Sequence, residues 1–481
     1  MMVLGTVVRA VAVGVALAIA GGPALADNQT PTVSPVSKNA SELPFKIALR
    51  PIKTPKPLPT LQSFAYGQSG GLWVIIGGRT NGLHNFSNNP LKNFPPRRQN
   101  DRIWVIDPTT WKFWSRPLDD SKLTEDQVDQ LSSTATESVQ IGDTLYVVGG
   151  YGYSRRLSDF TTYSTMTAFD LGETIRWVKR EGKWNGKGDL AGLIRQTSHT
   201  ALTVTGGQLT MLGKRAILAF GQNFQGGYGG EHHQNYTMQV RSFDIVDDGE
   251  TLSIRNVSRS PSERKPDKMR RRDYNMVPLL DRSGNKETAT TAALAGVFTK
   301  TNGMFTVPVE INGNGRASMA NPSASSTFKQ AMSGYNCAVL PIYDAKQNAN
   351  HNVLFGGISY VSYNRGTGKF VEDSQFPFIN DVTVVVRNEK GKYHQVLASS
   401  FPNVQSADGK RLRFGAEAGM FIDPATPLTS NGMVDLETLA RENRRVEVVV
   451  GRVFGGIAAD AGNNGSTVAS NLAFEIVVTP R

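Results

Sequence analysis

The chain of 481 residues contains a single cysteine, Cys337, and only six histidines. One thiol cannot close an internal disulfide, and it cannot build a multi-cysteine zinc or iron–sulfur site. Helix-starting patterns are few, and no phosphate-binding Gly-rich Lys loop or His-Glu-x-x-His sequence is present. Acidic residues are the minority charge: 41 against 52 Lys plus Arg, a formal charge of +11. Basic and aromatic residues do not interleave as in nucleic-acid readers, so the charge is read as affinity for anionic ligands or surfaces. Apolar residues reach 39%, and the 48 glycines follow no strict triplet, which excludes disordered and collagen-like chains.

Three segments organise the chain. Residues 1–26 carry Arg9, an apolar run from Ala10 to Ala20, and Ala24-Leu25-Ala26, the order of a secretory signal peptide. Cleavage there predicts an exported, periplasmic or secreted protein with no transmembrane anchor. Residues 27–44 read as an extended tail. Residues 45–481 read as one domain, because a single pattern recurs along them.

Short apolar runs end on glycine: Leu72–Gly78, Leu145–Gly150, Ile217–Gly221, Ala292–Gly296, Val353–Gly357 and Val453–Gly456. A downstream strand often closes on Asp, as in Trp104–Asp107, Thr167–Asp170 and Arg241–Asp244. A further strand is expected at Trp111–Trp114, Ile175–Val178 and Leu252–Arg255. Helix patterns at Leu123–Leu131 and Val434–Asn443 fall between strands. Four strands per unit, repeated around an axis, make a β-propeller. In its apolar-Gly-Gly elements and downstream aromatics the sequence resembles the kelch propellers. The resemblance implies an all-β, six-bladed propeller of four-stranded blades. The last unit runs out of chain, so Phe45–Leu49 is expected to supply its missing strand and close the ring.

The strand starts were aligned to find the residues around the axis. This register places Phe64, Glu137, His199, Tyr274, Tyr335 and Glu417 in one ring, with Arg195, Arg270 and Arg413 four residues earlier in three units. Glu137, Glu417 and His199 are the candidate catalytic groups. Tyr274, Tyr335, Arg195, Arg270 and Arg413 are the candidate ligand contacts, since guanidinium forks match carboxylates. Polar residues also line such channels simply because water fills them. Elsewhere, Gly226–Asn235 with its His232-His233 pair reads as a solvated loop. Residues 258–272 read as a basic solvated linker, and Cys337 reads as a buried inert thiol.

Three readings of function remain. The first is a binding or interaction module for an anionic small molecule, glycan or protein at the channel mouth, with no cofactor and no nucleic acid. The second rests on similarity to periplasmic kelch-type sialic acid mutarotases and implies a Glu base and an Arg carboxylate clamp. The third rests on similarity to galactose oxidase, whose copper needs two histidines, two tyrosines and a Cys–Tyr cross-link. Only Tyr393-His394, on an expected outer strand, and Cys337 near Tyr335 echo that set.

Overall fold

The computed structural model describes residues 31–180, 189–263, 269–284, 286–300 and 303–481. The expected signal peptide, and residues 264–268 of the basic linker, lie outside them. Among the described residues no helix is long and apolar enough to cross a membrane.

The fold is an all-β propeller. Five sheets are four-stranded antiparallel blades. The first runs through Ala65–Ser69, Leu72–Ile76, Arg102–Ile106 and Phe113–Pro117. The second uses Glu137–Ile141, Thr144–Val148, Thr165–Asp170 and Ile194–Ser198. The third uses Gln208–Leu212, Arg215–Ala219, Val240–Asp247 and Leu252–Ser260; the fourth uses Asn275–Ser283, Lys286–Leu294, Val309–Ile311 and Ala317–Met319.

The propeller thus has five four-stranded blades, not the expected six; between the fourth blade and the closing one lies a six-stranded sheet. Its centre is Ala338–Asp344, Ala349–Ile358, Phe378–Arg387 and Tyr393–Ser400. Val36–Ser37 adds in parallel at one edge and Val434–Asp435 at the other. Part of the presumed N-terminal tail is thus a strand that covers an otherwise open sheet edge.

The closing blade comprises Gly419–Ile422, Val448–Phe454, Ala473–Pro480 and, from the other end of the chain, Phe45–Pro51. Phe45 pairs with Pro480 and Pro51 with Phe474. The alternation in this strand explains its face: Phe45, Ile47 and Leu49 are buried, while Lys46, Ala48 and Arg50 face solvent.

Neighbouring sheets pack face to face through apolar clusters that repeat around the ring. At the seam between the first and closing blades, Trp73 stacks on Phe421 with ring centroids 4.0 Å apart.

One element departs from the strand pattern. Leu171–Lys179, which contains the expected strand Ile175–Val178, is an α-helix. Asp170 caps it by accepting a hydrogen bond from the Glu173 N–H. Leu171, Ile175 and Val178 fall on one helical face and are buried with Trp177. The fourth strand of this blade is therefore Ile194–Ser198. Gly226–Asn235 also departs from expectation: Gln222–Gly226 and His232–Tyr236 form a hairpin, with the His232 ring stacked on Phe224.

Candidate functional site

The axis is marked by a closed belt of backbone hydrogen bonds. Each of six residues donates its N–H to the carbonyl of the belt residue in a neighbouring sheet. Ser63 donates to Glu417 (3.1 Å), Glu417 to Asn336 (3.2 Å) and Asn336 to Asp273 (2.9 Å). Asp273 donates to Gly206 (2.8 Å), Gly206 to Ala135 (3.3 Å) and Ala135 to Ser63 (3.2 Å). Every member lies two residues before the first strand of its sheet.

The belt corrects the ring expected from sequence. Glu417 is a member. Tyr335 adjoins it, with its hydroxyl donating to Asp273 Oδ2 at 3.0 Å. Tyr274 points into the core, where its hydroxyl donates to the Ala219 carbonyl at 2.7 Å. Glu137 lies two residues past the belt and is buried between blades. His199 is exposed at the end of an outer strand, where its Nδ1 accepts the Ala201 N–H.

The arginines also lie elsewhere. Arg195, on the outer strand that ends just before His199, forms a bidentate pair with Asp247 at 2.7 and 2.8 Å, a clamp between the second and third blades. Arg270 donates to the Phe298 and Thr299 carbonyls and lies over the Tyr236 ring. Arg413 pairs through its backbone with Ala459, away from the belt. The helix at Leu171–Lys179 explains the His199 and Arg195 errors, because reading it as a strand moved Ile194–Ser198 into the next unit.

The backbone at the glycine pairs explains what surrounds the belt. At all six repeats two consecutive residues have positive φ: Gly77-Gly78, Gly149-Gly150, Phe220-Gly221, Ala295-Gly296, Gly356-Gly357 and Gly455-Gly456. In the third and fourth repeats Phe220 and Ala295 stand where the others have the first glycine. At the second position a Cβ would stand 2.5 Å from the Gln62 carbonyl oxygen at Gly78, and 2.9 Å from Tyr274 Cβ at Gly296.

The turn aims the following residue inward. Those residues are Arg79, Tyr151, Gln222, Val297, Ile358 and Ile457; Arg79, Tyr151, Gln222 and Ile457 line one cavity, and Val297 and Ile358 line an adjoining one. Four of them pair through backbone bridges with the residue just before the belt: Gln62 with Arg79, Thr134 with Tyr151, Thr205 with Gln222, and Arg272 with Val297.

Two cavities meet at the belt, and both touch Ser63, Asp273 and Glu417. One, of about 420 Å³, is lined mainly by neutral groups such as Gln68, Ser138, Gln208 and Asn336. The other, of about 110 Å³, is basic and aromatic, with Arg79, Arg272, His84, Phe94, Tyr151 and Tyr228 in its wall. We call the second the chamber.

Arg79 is 3% exposed. Its Nε donates to Asn81 Oδ1 at 3.1 Å, and its guanidinium faces the Phe94 ring at 4.7 Å. Its Nη2 is buried without a hydrogen-bond partner. An unmet buried donor costs about 1–3 kcal/mol, more when charged. Burial lowers the Arg79 pKa to about 10, so it stays cationic at neutral pH.

Arg272 lies beside Asp273, with Nε 3.2 Å from Oδ2, and faces the Phe298 ring at 4.7 Å. Burial opposes its charge, but Tyr236, Asp273 and Tyr228 outweigh that and raise its pKa. His84 is held neutral, its pKa lowered to about 4 by burial.

Two acids lie on the floor. Burial raises the Asp273 pKa, and Arg272 and the Tyr335 hydroxyl work against that rise. Glu417 is pushed up to about 7, first by burial and then by the Asp273 charge. Its Oε2 accepts hydrogen bonds from Ser63 Oγ at 2.8 Å and Asn336 Nδ2 at 3.2 Å. Such a carboxyl exchanges a proton near neutral pH.

No protein-family profile matches the chain. No curated protein matches it either. Among solved structures, one titled "Structure of YjhT" superposes with a TM-score of 0.41 at 9% identity, over 89% of this chain and 99% of that one.

Sequence reasoning missed Arg79, Asp273 and Arg272 as site residues. The signal was positional: the residue directly after each glycine pair, and the residues two and three before each first-strand start. Among the described residues, no group of three or more His, Cys, Asp or Glu side chains stands where it could hold a metal ion. Cys337 is buried beside Asn275, and burial pushes its thiol up to about 12.

Proposed function

We propose that the protein binds a small organic anion in the chamber, with its carboxylate on Arg79. The observation that carries this reading is the buried Arg79 guanidinium, whose Nη2 has no protein acceptor on the wall of an aromatic cavity. A carboxylate there supplies the missing acceptor and the opposite charge, and the aromatic wall excludes competing water. Arg272 is partly neutralised by Asp273, so Arg79 is the main anchor.

Titration with acetate or a larger monocarboxylate, followed by ligand-observed NMR, tests the reading. Wild-type protein should bind, and Arg79→Met should weaken binding at least tenfold, about the worth of one charge-assisted hydrogen bond. Unchanged binding in Arg79→Met refutes it.

Glu417 favours a second reading, proton-transfer catalysis on such a ligand, as in the mutarotase resemblance. A carboxyl poised near 7 at the chamber floor suits opening and reclosing of a sugar-acid hemiacetal. Proton NMR of freshly dissolved N-acetylneuraminate decides it: wild type should speed anomerisation and Glu417→Gln should not.

Export and kelch kinship belong to the same proposal. The Arg9–Ala26 pattern supports the first, and the six paired turns support the second. Mass measurement of the exported chain should give an N-terminus at Asp27.

A further inference from the structure

The residues that follow the paired turns are of two unlike kinds. The residues after the first three turns are Arg79, Tyr151 and Gln222; those after the last three are Val297, Ile358 and Ile457. Ile457 lines the chamber, whereas Val297 and Ile358, with Phe298, Met304 and Phe376, line an adjoining arm of about 40 Å³. The two spaces share Leu83, His84, Tyr228, Arg272 and Tyr335, so they adjoin across one threshold. No acidic side chain lines the arm, and its one cation, Arg272, stands at the threshold with its guanidinium over Phe298.

We infer that the ligand is a monocarboxylic acid with a short apolar substituent, its carboxylate on Arg79 and its substituent in the arm. This inference rests on the organic-anion reading above and adds the class of anion. A polyhydroxylated substituent would strip its hydroxyls of water against Phe298, Met304, Ile358 and Phe376, which offer no hydrogen-bond partner. An alkyl group there loses only contact with water. The size is bounded as well. A water-sized group needs about 10–15 Å³ of such space, so the arm accepts about three carbons beyond the threshold.

The test is a homologous series on the intact protein at one pH and salt: acetate, propionate, butyrate, valerate and hexanoate, with gluconate as the polar counterpart. Each methylene that enters the arm should tighten binding about fourfold, so valerate should bind on the order of fiftyfold tighter than acetate. The gain should stop at hexanoate, and gluconate should gain nothing over acetate. Phe376→Trp, a half-buried position that lines the arm and not the chamber, should keep acetate binding and erase the dependence on chain length. Acetate binding with a flat series, or gluconate binding more tightly than valerate, overturns this inference and leaves the organic-anion reading standing. No binding of any member overturns both.

Discussion

Burying Glu137 between two blades should make folding stability depend on pH through one residue. The side chain is 3% exposed. Its Oε1 accepts the Gly207 N–H at 2.6 Å, and its Oε2 is buried with no hydrogen-bond partner. Burial pushes its pKa from 4.5 to about 8, although the Gly207 N–H and the Arg241 charge work against the rise. The folded state therefore holds a proton that the unfolded chain releases above pH 4.5. Stability from this group is complete below pH 4.5 and falls as pH rises to about 8, where the folded state also ionises. Each pH unit in that window removes about 1.4 kcal/mol, so the whole effect is on the order of 5 kcal/mol.

Glu137→Gln keeps the shape and the acceptor for Gly207 but cannot ionise. Urea unfolding of both proteins at pH 5, 6.5 and 8 should give nearly equal midpoints at pH 5. The variant should then gain a steadily growing advantage as pH rises. A difference between the two proteins that does not change with pH refutes the reasoning.

Glu417 makes a parallel prediction for binding. Its ionisation through pH 7 adds negative charge to the chamber floor, so carboxylate affinity should fall between pH 6 and 8 in the wild type. In Glu417→Gln that fall should shrink, as read by NMR titration at each pH. At the turns, Gly78→Ala places a Cβ 2.5 Å from the Gln62 oxygen at a φ of +85°, and should cost about 3–5 kcal/mol. Gly142→Ala, with a φ of +58° and nothing within 4 Å of the new Cβ, should cost only about 1–2 kcal/mol. Chemical denaturation measures both. At the ring closure, Phe45→Ala should cost about 3–5 kcal/mol. The exposed neighbour Lys46→Ala should stay within about 0.5 kcal/mol.

The residues by themselves determined the repeat, because strand burial and tight turns are local properties. Leu145–Gly150 reads as a buried strand ending in a left-handed turn without knowledge of its neighbours. Phe45–Leu49 announces a strand with one buried face by its alternation alone. The helix at Leu171–Lys179 was legible too, through its Asp170 cap and the Leu171, Ile175, Val178 spacing, but the expectation of a strand there obscured it. Reading it as a strand places His199 and Arg195 at the axis, whereas Arg195 sits on an outer strand and His199 just past its end.

Which residues meet at the axis was decided only by the tertiary structure. The belt joins Ser63, Ala135, Gly206, Asp273, Asn336 and Glu417 through backbone groups, so their side chains share no chemical type that a sequence pattern could expose. A shift of one residue along the chain separates Asp273, on the chamber floor, from Tyr274, in the core, because successive side chains point in opposite directions. The width of the expanded fifth unit was likewise set by distant segments, Val36–Ser37 and Val434–Asp435, finding open edges. The chamber and its arm, finally, are lined by six single residues dispersed between positions 79 and 457, four in the chamber and two in the arm. Their convergence depends on ring closure, and no local preference encodes it.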